Sequence, residues 1–183
     1  MNRRTVIRNL VVVSAGATLI PACIQQDKVL FPLKNMVVRG PQQELLAVLT
    51  ETIIPRTSDF PGANDLKAHE YLLTMMDDCA KPEEQQSFIN GLNLFEEACK
   101  KKWNKSFVKA TVQQRNEWLK ELEANKENKD DLSGFYRTVK RYTIQSFTSS
   151  KEYLVDVQKF TLVPGSNFKG CVPVGKVDVK KST

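Results

Sequence analysis

At 183 residues, with 41% hydrophobic and 26% charged side chains and a formal charge of +6, the chain has the length and apolar content of one globular domain. Half of that charge, Arg3, Arg4 and Arg8, lies in residues 1–22, which hold no acid. The other 161 residues carry only +3, too little for the basic footprint of a nucleic-acid-binding protein, and they contain no internal repeat or low-complexity tract.

The chain opens MNRRTVIRNLVVVSAGATLIPAC. Leu10 to Ala22 is a run of 13 mostly apolar residues behind the three arginines, short of the roughly 20 that a membrane-spanning helix needs. Residues 1–22 therefore read as a signal peptide. Asn2, the Arg3-Arg4 pair, Thr5, the apolar Val6-Ile7 and the closing cation Arg8 resemble the twin-arginine signal by which bacteria export folded proteins. Leu19-Ile20-Pro21-Ala22-Cys23 resembles a lipobox. By that resemblance Cys23 is diacylated and begins the mature chain, two acyl chains anchoring it stably at about 0.8 kcal/mol per buried methylene. Ordinary cleavage nearby, with Cys23 a bystander, is the other reading. The expected location is the bacterial cell envelope, on its periplasmic side.

Residues 23–40 show no helical period and are expected to form an extended linker from the anchor. A helical domain is expected over residues 41–175. Its first helix starts at Pro41, a favoured first-turn position, continues with Leu45, Val48, Leu49 and Ile53 at helical spacing, and stops at Pro55. The loop RTSDFPGAN follows. In it Asp59 is expected to accept backbone amides, Pro61-Gly62 suits the centre of a type II turn, and Asn64 or Asp65 is placed to cap the next helix. The loop either presents Phe60 to a partner or tucks it into the core.

The second helix carries Leu66, Leu72, Leu73 and Met76 and ends near Cys79. Lys81-Pro82 turns the chain into a third, marked by Phe88, Leu92, Phe95 and Cys99 on one face. Thr111-x-x-Gln114 forms a capping box for a fourth, with Trp118, Leu119 and Leu122. A polar connector, Asn125 to Asp131, leads to a fifth with Leu132, Phe135, Tyr136, Val139 and Tyr142. After Tyr153 proline and glycine end the helical pattern. The stretch to residue 175 reads as an apolar-rich tail packing on the body or on a partner, and residues 176–183 as a polar end. The fold class is all-α, a compact bundle of five or six helices with an irregular C-terminal tail.

Chemistry-bearing motifs are scarce. His69 is the one histidine, and His69-Glu70-Tyr71-Leu72-Leu73 lacks the second histidine a zinc-protease helix needs, so His69 reads as a helix-surface residue. No c-type haem motif, dinucleotide fingerprint or phosphate loop is present. The pairs Asp77-Asp78 and Glu96-Glu97 point about 100° apart on a helix and read as solvated faces, as do Lys100, Lys101 and Lys102. Trp103 and Trp118 read as core or interface anchors. The mature chain is thus expected to be non-catalytic, with no catalytic, cofactor-binding or metal-binding residue of its own. Besides Cys23 the cysteines are Cys79, Cys99 and Cys171. Antiparallel helices would hold Cys79 and Cys99 roughly 25–30 Å apart, too far to bridge. That leaves two readings, a Cys79–Cys171 disulfide pinning the tail or three unpaired thiols.

From Leu49 to Met76 the chain resembles the small subunit, subunit 3, of the gluconate 2-dehydrogenase family. The likeness rests on Ile53-Ile54-Pro55, then Ser58, Asp59, Pro61, Gly62 and Ala63, and on Pro164, Gly165, Phe168 and Gly170 in the tail. Phe60 departs from the threonine frequent at its position. The resemblance implies a periplasmic three-part dehydrogenase. A large flavoprotein of the glucose-methanol-choline type carries FAD and oxidises a sugar or sugar acid, and a c-type cytochrome carries haem and takes the electrons. The small subunit supports folding and twin-arginine export of the flavoprotein. Asp59, Phe60, Pro61, Gly62 and Ala63 become the expected partner-binding loop. A free-standing lipid-anchored envelope protein, binding a ligand or acting as a scaffold, is the alternative.

Overall fold

The computed structural model describes residues 30–125 and 128–160. Among them are five α-helices and no strand: α1 (Gly40–Ile53), α2 (Ala68–Cys79), α3 (Pro82–Trp103), α4 (Val112–Ala124) and α5 (Asp131–Thr148). A 3-10 turn, Phe107–Lys109, precedes α4, and a π-helical turn, Tyr153–Val157, follows α5. The all-α class expected from periodicity is the observed one.

Helix boundaries follow local chemistry. Pro41 and Pro82 occupy first turns, where a missing N–H costs nothing. Thr111 and Gln114 form the expected capping box: the Gln114 amide donates to Thr111 Oγ1 at 3.3 Å, and the Thr111 amide to Gln114 Oε1 at 3.1 Å. Asp130 caps α5 by accepting the Ser133 amide at 2.6 Å. Helix α3 carries Glu83 and Glu84 in its first turn and Lys100, Lys101 and Lys102 in its last, the order that suits the helix dipole. It ends on Asn104 in the left-handed region, φ 54°.

Leu45, Leu46 and Leu49 of α1, Leu72 and Leu73 of α2, and Phe88, Leu92, Phe95 and Cys99 of α3 meet in one core with Phe107, Phe135 and Val139. Helix α5 packs against α1, α2 and α3. Phe135 is the hinge of the aromatic packing, its ring centroid 5.1 Å from that of Phe88 and 5.6 Å from that of Phe95. Trp103 and Trp118 meet edge to face at 6.3 Å against this core.

Residues 30–39 form neither helix nor strand, bend at 30–31 and 34–35, and are built into the body rather than forming a free extended linker. Met36 and Val38 are buried in the core. The Asp77 carboxylate accepts the backbone amides of Lys34, Asn35 and Met36, each at 2.8 Å. The buried Gln43 side chain accepts the Phe31 amide at 2.7 Å and donates to the carbonyls of Phe31 and Val38 at 2.9 and 3.0 Å. Asp77 thus departs from the solvated pair expected from Asp77-Asp78. Asp78 is exposed, whereas Asp77 turns inward because three amides need an acceptor there.

Candidate partner-binding surface

The loop between α1 and α2 is assembled by two carboxylates. Glu51, in the last turn of α1, accepts the Arg56 amide on Oε1 at 3.0 Å and the Asn64 amide on Oε2 at 2.8 Å. Asp65 accepts the Gly62 amide at 2.8 Å and a two-pronged Arg56 guanidinium, with both contacts at 2.7 Å. The Arg56 hydrogen bonds and then the Gly62 amide hold the Asp65 carboxyl below the usual carboxylate range. The Ala63 amide closes the neck of the loop on the Ile54 carbonyl at 2.9 Å. At the tip, the Thr57 amide donates to the Phe60 carbonyl and the Phe60 amide to Thr57 Oγ1, both at 3.1 Å.

The five residues expected to form the partner loop divide into two groups. Asp59 is exposed, and Phe60 and Pro61 are half-buried; Gly62 and Ala63 are buried and shape the loop from inside. Asp59 accepts the Ser58 hydroxyl at 3.0 Å, and backbone amides go to Glu51 and Asp65 in its place. The type II turn is not formed, since none of the described glycines has positive φ. Glycine is required at position 62 for space. A Cβ there would run into the Glu51 carboxylate and lie 2.7 Å from the Arg56 backbone nitrogen. Nor does Asn64 or Asp65 cap α2: residues 64–67 form a turn, and Lys67 enters the helix from the left-handed region at φ 53°.

Glu51 and Arg56 have no role at this site in the sequence reading, and Asp65 anchors the loop instead of capping α2. The one signal in the sequence is the pair of opposite charges, Arg56 and Asp65, bracketing the Pro-Gly segment. Glu51→Ala is expected to cost about 1 kcal/mol, the worth of two exposed amide contacts. Limited proteolysis should then cut within residues 56–64 faster, while cleavage elsewhere keeps its rate.

Phe60 settles between the two expected placements. Its ring meets that of Phe147 edge to face at 6.4 Å, and Phe147 stands 5.5 Å from Tyr153. Beyond Tyr153, Val155, Val157 and Phe160 are each about half exposed. The loop tip and the π-helical turn therefore meet through Phe60, Phe147 and Tyr153, next to the exposed Asp59 and a turn that carries exposed aliphatic side chains. Such a surface suits burial against another protein.

His69 is half-buried, not a surface residue; its Nδ1 is buried with no partner, and burial lowers its pKa. Among the described residues no group of three or more His, Cys, Asp or Glu side chains converges on a metal position, and no helix is long and apolar enough to cross a membrane. Cys79 is exposed and Cys99 buried. Arg3, Arg4, Cys23 and Cys171 lie outside the described residues.

The sequence model of the family described as gluconate 2-dehydrogenase subunit 3 matches residues 41–165, from the first turn of α1 past the π-helical turn. No curated protein and no solved structure gives a significant match to the chain.

Proposed function

The chain belongs to the gluconate 2-dehydrogenase subunit 3 family, and from that membership we propose that it is a non-catalytic accessory subunit of a flavin-dependent sugar or sugar-acid dehydrogenase. In this reading the flavin and the oxidising site belong to a large subunit of the glucose-methanol-choline type, and haem to a c-type cytochrome. The chain binds the flavoprotein before export, supports its folding and carries it through the twin-arginine route into the periplasm. Lipidated Cys23 then holds the complex at a membrane. The observation that carries the reading is the family match over all five helices and the intervening loop.

The docking face we assign is the loop tip with the Phe60, Phe147 and Tyr153 strip. The Glu51 and Asp65 contacts fix the loop before binding, so little ordering entropy is lost on association. The proposed anchor has a geometric consequence. Asp77 and Gln43 fasten residues 31–38 to the body, and the seven Cα-to-Cα steps from Cys23 to Leu30 reach at most about 25 Å. A lipidated chain thus holds the helical body, and any partner on it, close to the membrane surface.

The test is a mild-detergent pull-down of the tagged full-length chain, followed by mass spectrometry and a flavin absorbance scan. A yellow large subunit recovered near one to one supports the accessory role, and a colourless lone species favours the free-standing envelope protein. Deleting the chain should leave the flavoprotein unexported or unstable. Asp59→Lys separates binding from folding. Its Tm should stay near that of the wild type, as an exposed substitution changes stability by less than about 0.5 kcal/mol, while recovery of the yellow subunit falls.

A further inference from the structure

A groove of about 450 Å³ opens between the end of α2, the start of α3 and residues 134–142 of α5. Its floor is apolar, made by Met76, Phe88, Phe135 and Tyr142, and the exposed Glu83 and Glu84 stand on its α3 side. On the α5 side Arg141 folds over the Tyr142 ring, 4.5 Å from its centroid. Cys79 lines the same groove and is an exposed residue. Cys99 differs on both counts: it is fully buried, and burial pushes its thiol up to about 12. Seventeen residues of α3 also separate it from Pro82, a distance of about 26 Å along the helix.

The length of chain beyond the described residues fits this groove. Helix α5 borders it at Thr138 and ends at Thr148, about 15 Å further on. After Phe160 there remain 23 residues, and Cys171 is the eleventh of them. Eleven residues can reach about 38 Å when extended, enough to return along α5 to Cys79. Composition fits as well. Phe168, Val172 and Val174 match an apolar floor, and Lys169 matches the Glu83 and Glu84 side.

We propose that segment 161–175 of this chain is the occupant of the groove and that a Cys79–Cys171 disulfide fastens it there. With oxidised glutathione as the oxidant, one protein thiolate attacks its disulfide, forming a mixed disulfide and releasing one glutathione. The second protein thiolate then displaces the other. One protein S–S bond forms as the glutathione S–S bond breaks, and the two thiol protons end on two glutathione thiols. The fastening requires neither the flavoprotein nor export, so its failure and that of the accessory role are distinguishable.

The experiment equilibrates the purified full-length chain in a glutathione redox buffer, quenches with acid, alkylates, and maps peptides without reduction. The expected result is a linked Cys79–Cys171 peptide, Cys99 alkylated once unfolded, and a gain of about 2 Da on reduction. Full alkylation of Cys79 in the oxidised chain, or Cys171 found joined to Cys23 or Cys99, overturns the pairing. Phe168→Asp, with all cysteines kept, reads the docking itself. A seated tail raises the effective concentration of the two thiols, so the variant should lower the equilibrium constant for disulfide formation about tenfold. An unchanged constant would mean a tether without docking and would overturn the groove assignment.

Discussion

Asp77→Ala is expected to lower the unfolding free energy by about 3 kcal/mol, the cost of leaving three amides without an acceptor where one of them is buried. The Lys34, Asn35 and Met36 amides all end on this carboxylate, each at 2.8 Å. Its removal strands the Met36 N–H in the core and releases the strip that buries Met36 and Val38. Asp77→Asn should cost about half as much, because one oxygen survives and the new NH₂ group faces a donor. Urea unfolding at neutral pH measures both. Burial pushes the Asp77 carboxyl up, but the three amides together outweigh it and hold it below its ordinary 3.8. The folded value is depressed, so this stabilisation is fully present above the unfolded value and is lost as pH falls through the folded one. Asp65 and Asp130 are lowered too and act with the same sign. The wild type should therefore lose stability as pH drops below about 4, and Asp77→Asn should lose less over that range. Equal acid sensitivity in the two proteins would assign the whole effect to the other carboxylates.

The Asp77 contacts also mark the limit of what local sequence encodes. Helix faces such as Phe88, Leu92, Phe95 and Cys99 repeat locally and were legible, as was the Thr111–Gln114 capping box, whose partners are three residues apart. Asp77 meets amides 41 to 43 residues earlier in the chain, and no local pattern encodes that. The loop departs from its local signal for a related reason. Pro61-Gly62 has the composition of a type II turn, but Glu51 and Asp65 draw the amides of Arg56, Gly62 and Asn64 inward and fold it differently. Gly62 answers a need for space created by a side chain eleven positions away. His69, a helix-surface residue by the failure of the zinc-protease motif, is half-buried by packing that no motif encodes.

Gly91→Ala is expected to destabilise the protein by about 2 kcal/mol, although alanine is the better helix former by about 1 kcal/mol. Two effects oppose each other, and distance decides between them. Gly91 is buried in the middle of α3, where a Cβ would collide with the Asp131 carbonyl oxygen and the Phe135 Cβ and approach the Asp131 carbonyl carbon to 3.1 Å. The first of these obstacles is backbone, and that backbone is held. Asp131 accepts the Ser87 hydroxyl at 2.5 Å, and Asp130 caps the same turn through Ser133. Moving α5 aside to admit the methyl would break the Ser87–Asp131 bond and separate Phe135 from Phe88 and Phe95. Overpacking of this kind costs about 3 kcal/mol at the upper end of its usual range, which exceeds the gain in propensity. Gly134→Ala supplies the opposite case within the same helix pair. A Cβ there meets only Arg137 Nη2, at 3.9 Å. The propensity term then acts almost alone, and a gain of about 0.5 kcal/mol is expected near the helix start. Thermal and urea unfolding of the two variants should therefore move in opposite directions from the wild type. Stabilisation by both would show that α3 and α5 do not approach closely at Gly91. Destabilisation by both would show that Gly134 faces a packed neighbour, and the seated tail of the Cys79 groove, which Gly134 also lines, would be the first contact to examine.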